Sequence, residues 1–381
     1  MKTFCNCVLV GLIGFALGCG QPPPGRGAGE VETSPATQAN FRVETVVGGL
    51  AVPWSIVWAP DGRMIFTERA GRVRVYADGK LRPEPLFTVP DVESTGESGL
   101  MSLALHPRFS SNRWLYLSYA YKEKGQLVRV VRYRETSEGL VDRKVIIENI
   151  PAAQFHAGCR IRFGPDEKLY ITTGDATKRA LAQRLDSLAG KTLRLNEDGT
   201  VPSDNPFVGQ QGARAEIWSY GHRNAQGLDF QPGSNLMFQT EHGPSIFDGP
   251  AGGDEVNIVE RGKNYGWPEI HHKQTRAGLE SPLLEYTPAC APASGMFYRG
   301  SALAQFRGNF FFGCLRGERL IRVVLDGRRV VSEENLLEKK YGRLRDIAEG
   351  PDGFIYFSTS NRDGRGNPAS DDDRILRLSP P

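Results

Sequence analysis

The folded part of this chain holds too few cysteines to be stapled by disulfides. Of six, Cys5, Cys7 and Cys19 fall at the N-terminus, leaving Cys159, Cys290 and Cys314. Three is an odd number, so at most one intrachain bridge can form and one thiol stays free. Stability must come from a hydrophobic core. Basic blocks are missing too: 47 Lys and Arg are interleaved with 44 Asp and Glu, for a net charge of +3. With no zinc-finger spacing either, this excludes a nucleic-acid-binding tract. No apolar run approaches the roughly 20 residues that a membrane-spanning helix needs. Amphipathic helices are scarce, the best candidate lying between Arg179 and Leu188.

The one early apolar run, Val8 to Leu17, follows the positive start Met1-Lys2 and precedes Gly18-Cys19. A short basic start, an apolar stretch and small residues before a cut make a secretory signal over residues 1–18. Ala16-Leu17-Gly18-Cys19 resembles a bacterial lipobox, which predicts lipidation of Cys19 and an exported, periplasmic protein anchored to a membrane, the outer one if Gly20 is the sorting residue. Ala16 is a weaker first lipobox residue than Leu, and simple cleavage is the alternative. Residues 19–40 are rich in Pro, Gly, Ser and Thr with little to bury, as expected of a flexible linker. From 41 to 381 the composition is uniformly globular, as for one domain.

Repetition points to the architecture. A turn signal followed by a short apolar run occurs six times: before MIFTE (64–68), WLYLSY (114–119), KLYITTGD (168–175), NLMFQTE (235–241), NFFFG (309–313) and FIYFSTS (354–360). Each run has the aromatic and branched side chains of a buried strand after a tight turn. Some continue into an alternating run, as in RVRVY (72–76), the pattern of a half-exposed outer strand. Six units with irregular spacing predict an all-β fold, a six-bladed β-propeller, whose loops gather around a central cavity for cofactor and substrate. A large β-sandwich is the rival.

Five loop segments carry charge or polarity that a core would not tolerate unpaired. They hold His156, the Arg223-Asn224 pair, Glu241 to Pro244 with the following GGDEVN and NYGWP, Arg316, and Arg343 with Arg345. Singly, each has a plain explanation: a lone histidine before a strand is more often structural than a base, and Arg343 and Arg345 could face solvent. Together, arginines from three separate segments converging on one axis imply a multiply anionic ligand, because guanidinium forks match carboxylates.

The segments FHAGCRIRFGPDEKLYITTGD, GHRNAQGLDF, EHGP with GGDEVN, NYGWP and GRLRDIAEGPDG resemble the glucose/sorbosone dehydrogenases, from about Val52 to Leu378. The resemblance implies oxidation of an aldose at C1 to the lactone, with pyrroloquinoline quinone (PQQ) and Ca²⁺ as cofactors. It implies His156 as general base, a role suited to imidazole. Arg223 and Asn224 match the pair beside the quinone, Arg223 polarising its reactive oxygen. Arg316, Arg343 and Arg345 match the cations for its carboxylates. The carbonyls of Gly243 and Pro244 match calcium ligands, hard oxygen donors as that ion prefers. Glu97 falls where the family contacts sugar, and Glu255 with the Tyr265 carbonyl matches part of a second calcium site. Arg316 stands where glucose-specific members have lysine, Phe155 where some have an acid, and Cys159 in place of Gly or Ser. These departures favour aldoses in general over glucose. The electron acceptor is not identified by the sequence. Two other classes stay open: a non-catalytic propeller binding carbohydrate or another partner, and a calcium-dependent hydrolase of the lactonase type.

Overall fold

The structure is a computed structural model that describes residues 40–381; the expected signal peptide, Cys19 and nearly all of the linker lie outside the described residues. The described residues form six antiparallel sheets. The first strand, β1 (Arg42–Val47), is set aside and joins the last sheet. Blade 1 comprises β2 (Pro53–Trp58), β3 (Met64–Glu68), β4 (Arg72–Ala77) and β5 (Lys80–Leu81), with β6 (Phe87–Thr88) also on β4. Blade 2 comprises β7 (Leu100–Leu105), β8 (Trp114–Lys122), β9 (Gln126–Thr136) and β10 (Gly139–Pro151). Blade 3 runs through β11 (Ile161–Phe163), β12 (Leu169–Thr172), β13 (Lys191–Leu195) and β14 (Ile217–Tyr220). Blade 4 has β15 (Ala225–Phe230), β16 (Met237–Glu241), β17 (Asp254–Val259) and β18 (Leu284–Tyr286). Blade 5 has β19 (Pro292–Phe297), β20 (Phe310–Cys314), β21 (Arg319–Asp326) and β22 (Arg329–Leu336). Blade 6 has β23 (Leu344–Glu349), β24 (Ile355–Thr359) and β25 (Ile375–Ser379), completed by β1, whose Val43 faces Leu378 in register.

This is a six-bladed β-propeller. The six apolar runs of the sequence are the second strands of their blades. They read clearly because such a strand is covered on both faces: MIFTE is buried throughout, whereas β4 alternates, as its outer place requires. The apolar clusters of the core lie mainly between neighbouring blades. Ile65, Val73 and Leu117 join blades 1 and 2, and Phe311, Leu320 and Phe357 join blades 5 and 6. Phe66 with Tyr356 and Ile375 joins blade 1 to blade 6, which closes the ring.

The helix expected between Arg179 and Leu188 is instead a five-residue 3₁₀ turn, Arg179–Gln183. The carbonyls of Leu181 and Ala182, which a longer helix would offer to its own N–H groups, accept from the Lys191 ammonium, each at 2.9 Å. The Ala189 carbonyl takes its third hydrogen at 2.6 Å. A buried ammonium needs partners, and these carbonyls supply them in place of a further helical turn.

The order of the strands places the site. The crossover from an outer strand to the next inner strand and the turn from a second to a third strand open on the same end of the ring. In five of the six blades the inner strand also has an irregular register near its start, as between Ala225 and Gly227 or Leu344 and Ile347. Bulges there turn side chains at the rim toward the axis. Removal of residues 1–47 should leave β25 as an unpaired edge and lower the thermal midpoint by at least about 5 °C in calorimetry. An unchanged midpoint would show that β1 does not close the ring.

Candidate active site

A cavity of about 570 Å³ opens at this end. Glu97, His156, Arg223, Gly243, Pro244, Arg316 and Arg343, from six different connections, all line it. The remaining expected residues do not. Asn224 and Arg345 are buried beneath it, and Glu255 and Tyr265 lie outside it.

His156 sits in the crossover from β10 to β11 with a left-handed backbone, φ 57°. Such a conformation in a non-glycine residue persists only where its surroundings hold it. Gly174 explains how: a Cβ there would fall 1.9 Å from the His156 carbonyl oxygen, so only glycine admits the loop. The Asp175 carboxylate then holds the imidazole, Oδ1 lying 2.8 Å from Nδ1. The same carboxylate accepts from the Trp267 indole at 2.8 Å and from the Thr177 N–H at 2.8 Å. Among the described residues Nε2 has no partner. A carboxylate on one ring nitrogen fixes the tautomer that leaves the other as an acceptor.

Arg223 follows β14, its backbone N–H bonded to the Glu241 carboxylate. Its guanidinium donates to Asp248 at 2.8 Å, the His242 carbonyl at 3.1 Å and Ser245 at 3.2 Å. His222 points the other way, into the core, between Glu241 and Ser219. Asn224 is a bracket, accepting from the Gly158 N–H and donating to Glu97 at 3.3 Å. Glu97 also pairs with Arg365 at 2.8 Å. Burial works to raise this carboxyl, but the charges of His242, Arg365 and His156 outweigh it and hold it at about 2. The Arg365 ion pair favours the anionic form of Glu97. Burial lowers His242 from the usual imidazole range, with the charges of Glu97 and Asp254 opposing it.

The arginines divide. Asp363 takes both Arg343, at 2.8 Å, and Arg345, at 3.5 Å. Arg345 also reaches Ser360, and burial lowers it to about 10. Arg316, exposed on the turn from β20 to β21, has no hydrogen-bonding or ionic side-chain partner among the described residues. Arg365, whose guanidinium lies 4.7 Å from the Phe155 ring centre, was not singled out from the sequence. Neither were Asp175, Asp248 and Asp363, because nothing local distinguishes a partner carboxylate from a turn residue. Cys159 requires a correction. It is fully buried in the core between blades 2 and 3, where burial pushes its thiol up to about 12, and it does not touch the cavity. It carries no information on sugar preference.

No group of three or more His, Cys, Asp or Glu side chains among the described residues is placed to hold a metal ion. Gly243 and Pro244 would offer backbone oxygen instead. The Gly243 carbonyl has no donor among the described residues, while that of Pro244 accepts from the Gly252 N–H at 3.2 Å. Glu255 faces Glu241 across β16 and β17, and burial with that neighbouring charge pushes its carboxyl well above the usual range.

A propeller with a histidine held by a carboxylate, beside an arginine-lined axial cavity, defines the class. The family model for glucose/sorbosone dehydrogenase matches residues 50–376, and the chain belongs to that family. It is 35% identical to the aldose sugar dehydrogenase YliI of Escherichia coli K12, over 91% of this chain and 94% of that protein. Among solved structures, a Thermus thermophilus oxidoreductase described as a glucose dehydrogenase shares 43% identity with a TM-score of 0.83, covering 89% of this chain and 99% of that one. The PQQ-bound aldose sugar dehydrogenase of Streptomyces coelicolor shares 33% identity with a TM-score of 0.78, covering 90% of this chain and 98% of that one.

The Asp175 carboxylate serves three donors, so Asp175→Ala should cost about 2–4 kcal/mol in urea unfolding. Asp175→Asn, which keeps an acceptor oxygen, should cost less. Equal stability of the alanine variant and the parent would show that the carboxylate does not hold this corner.

Proposed function

We propose that this protein oxidises aldose sugars at C1 to the lactone, with PQQ in the axial cavity and Ca²⁺ beside it. The observation that carries the reading is the unpartnered Nε2 of His156 in a cavity that also holds an unpaired arginine, Arg316. When bound, the quinone supplies the hydride acceptor. His156 takes the proton of the C1 hydroxyl at Nε2, and the Asp175 carboxylate stabilises the imidazolium that results. Glu97, anionic and fixed by Arg365 and Asn224, is an acceptor for sugar hydroxyls.

The residues suit this cofactor. Arg316, Arg343 and Arg365 line the cavity, and a flat tricarboxylate needs cations at its edge. Arg316 is free to pair at once, whereas Arg343 must share with Asp363. Arg223, held by Asp248, would face developing negative charge with little reorganisation. Gly243 and Pro244 would hold the calcium, and Glu255 with the Tyr265 carbonyl part of a second one. Support for PQQ comes from the quinone-bound Streptomyces relative, and support for aldoses from the name of the E. coli one. Phe155 stacks under Arg365, where an acid would instead pair with that guanidinium and offer a hydrogen-bond acceptor to the sugar, and the loss of that acceptor suits a broad aldose range rather than glucose alone. Export to a bacterial periplasm with a lipid on Cys19 completes the reading, and the electron acceptor there is a quinone or a cytochrome.

Mixing the apoprotein with PQQ and Ca²⁺ should give dye reduction by several aldoses. Reduction with none of them, and no quinone binding in a titration, would sink the proposal. His156→Ala should abolish dye reduction while quinone binding persists; near-normal turnover would place the base elsewhere. Arg316→Ala should weaken quinone binding by about 10-fold, the loss of one charge-assisted pair. An unchanged dissociation constant would remove Arg316 from the cofactor site.

A further inference from the structure

Cys290 and Cys314 lie far apart in sequence but side by side in blade 5. Cys314 ends β20, opposite Pro292, and Cys290 precedes Pro292 by two residues. The backbones are laced together: the Leu315 N–H donates to the Ala291 carbonyl, and those of Arg316 and Gly317 to the Cys290 carbonyl at 3.0 and 2.8 Å. Gly317 locates both side chains, because a Cβ built on it would lie 3.1 Å from the Cβ of each cysteine. Both thiols are buried in the core between blades 4 and 5. The hydrogen bond from the Cys314 thiol, together with burial, pushes Cys290 well above the usual thiol range.

The flanking residues face the other way. Ala289 and Ala291 on one segment, and Leu315 and Arg316 on the other, line the cavity. The two thiols therefore sit behind the wall that carries Arg316. Cys159, in the core between blades 2 and 3, belongs to a different part of the ring.

We propose that Cys290 and Cys314 form a disulfide that ties the two cavity-wall segments together from behind and braces the turn bearing Arg316. Formation proceeds by exchange with an oxidant of the disulfide class, glutathione disulfide or a thiol–disulfide oxidoreductase. One cysteine thiolate attacks the oxidant, giving a mixed disulfide and releasing one thiol. The second thiolate then attacks the protein sulfur, releasing the other thiol. Two protons and two electrons leave the pair, and the oxidant is reduced to two thiols. Burial suppresses the thiolate of a folded chain, so the bond forms during folding and resists reductant afterwards.

The inference does not depend on the sugar-oxidising reading, and its first test needs no activity. The full chain is refolded in a glutathione redox buffer, alkylated without reduction and digested with trypsin. Arg299 and Arg307 allow the two cysteines to fall in separate peptides. A disulfide-linked pair of these peptides, with Cys159 alkylated, is expected. Cys290 and Cys314 each alkylated, or either one bonded to Cys159 or to glutathione, would overturn the proposal. The bracing role is read from ligand-free melting. The oxidised parent should melt several degrees above both the reduced parent and Cys290→Ala/Cys314→Ala. Coincident midpoints for the linked and reduced parent would refute the brace even if the double variant fails to fold.

Discussion

Closure of the ring is the constraint on which everything else rests. A blade of this fold is apolar on both faces, so it is stable only between two neighbours, and an open array would leave two faces in water. The chain meets the requirement by splitting one blade between its ends: β1 pairs with β25, and Phe66 of blade 1 packs with Tyr356 and Ile375 of blade 6. Polar contacts then lock the ring across its axis. Arg160 of blade 3 pairs with Asp346 of blade 6 at 3.0 Å while donating to Ser55 of blade 1 and to the Gln226 carbonyl of blade 4. Four blades thus share one guanidinium, and none can move without stranding a buried charge.

A closed ring gives the site its form. Loops from separate blades are brought to one end at fixed positions, and bulges at the inner strands aim their side chains inward. The arginines gathered there would repel one another if bare. Asp248, Asp363 and Glu97 offset that repulsion and hold the guanidiniums in place before any ligand arrives. Arg316 is the exception, and its position depends on the backbone of its turn. That is why the bonds between the Cys290 and Cys314 segments matter to the cavity although neither thiol reaches it.

The sequence was informative where burial is complete and local. The second strands stood out because both faces of each are covered, and GHRN, EHGP and NYGWP because charge and glycine there interrupt apolar strands. The inner strands were hidden: β11 has three residues, and the others begin in irregular register. The Arg179 segment has good helix formers, and only Lys191, folded back from the following strand, shows why they do not continue. Asp175, Asp248 and Asp363 were illegible for another reason. Each matters through one partner that its own neighbourhood does not reveal. Cys159 follows His156 by three residues in sequence, yet its side chain is buried in the core between blades 2 and 3.

One carboxylate shows how local turn chemistry reaches the chemistry of the site. Asp248 Oδ1 accepts from the Ser245 N–H at 2.7 Å, which folds the short loop Ser245 to Asp248, and its Oδ2 holds Arg223 at 2.8 Å. Between those anchors Ile246 and Phe247 are left 90% and 66% exposed, an arrangement that apolar side chains do not choose for themselves. The loop keeps them there because Asp248 cannot release Ser245 without also loosening Arg223. Phe247 is thereby stacked near His156, ring centres 5.8 Å apart. The apolar wall of the cavity, the orientation of its central cation and the cover over its base are set by the two oxygens of one side chain. The shape and the charge of the site are therefore a single property of this loop, and they change together.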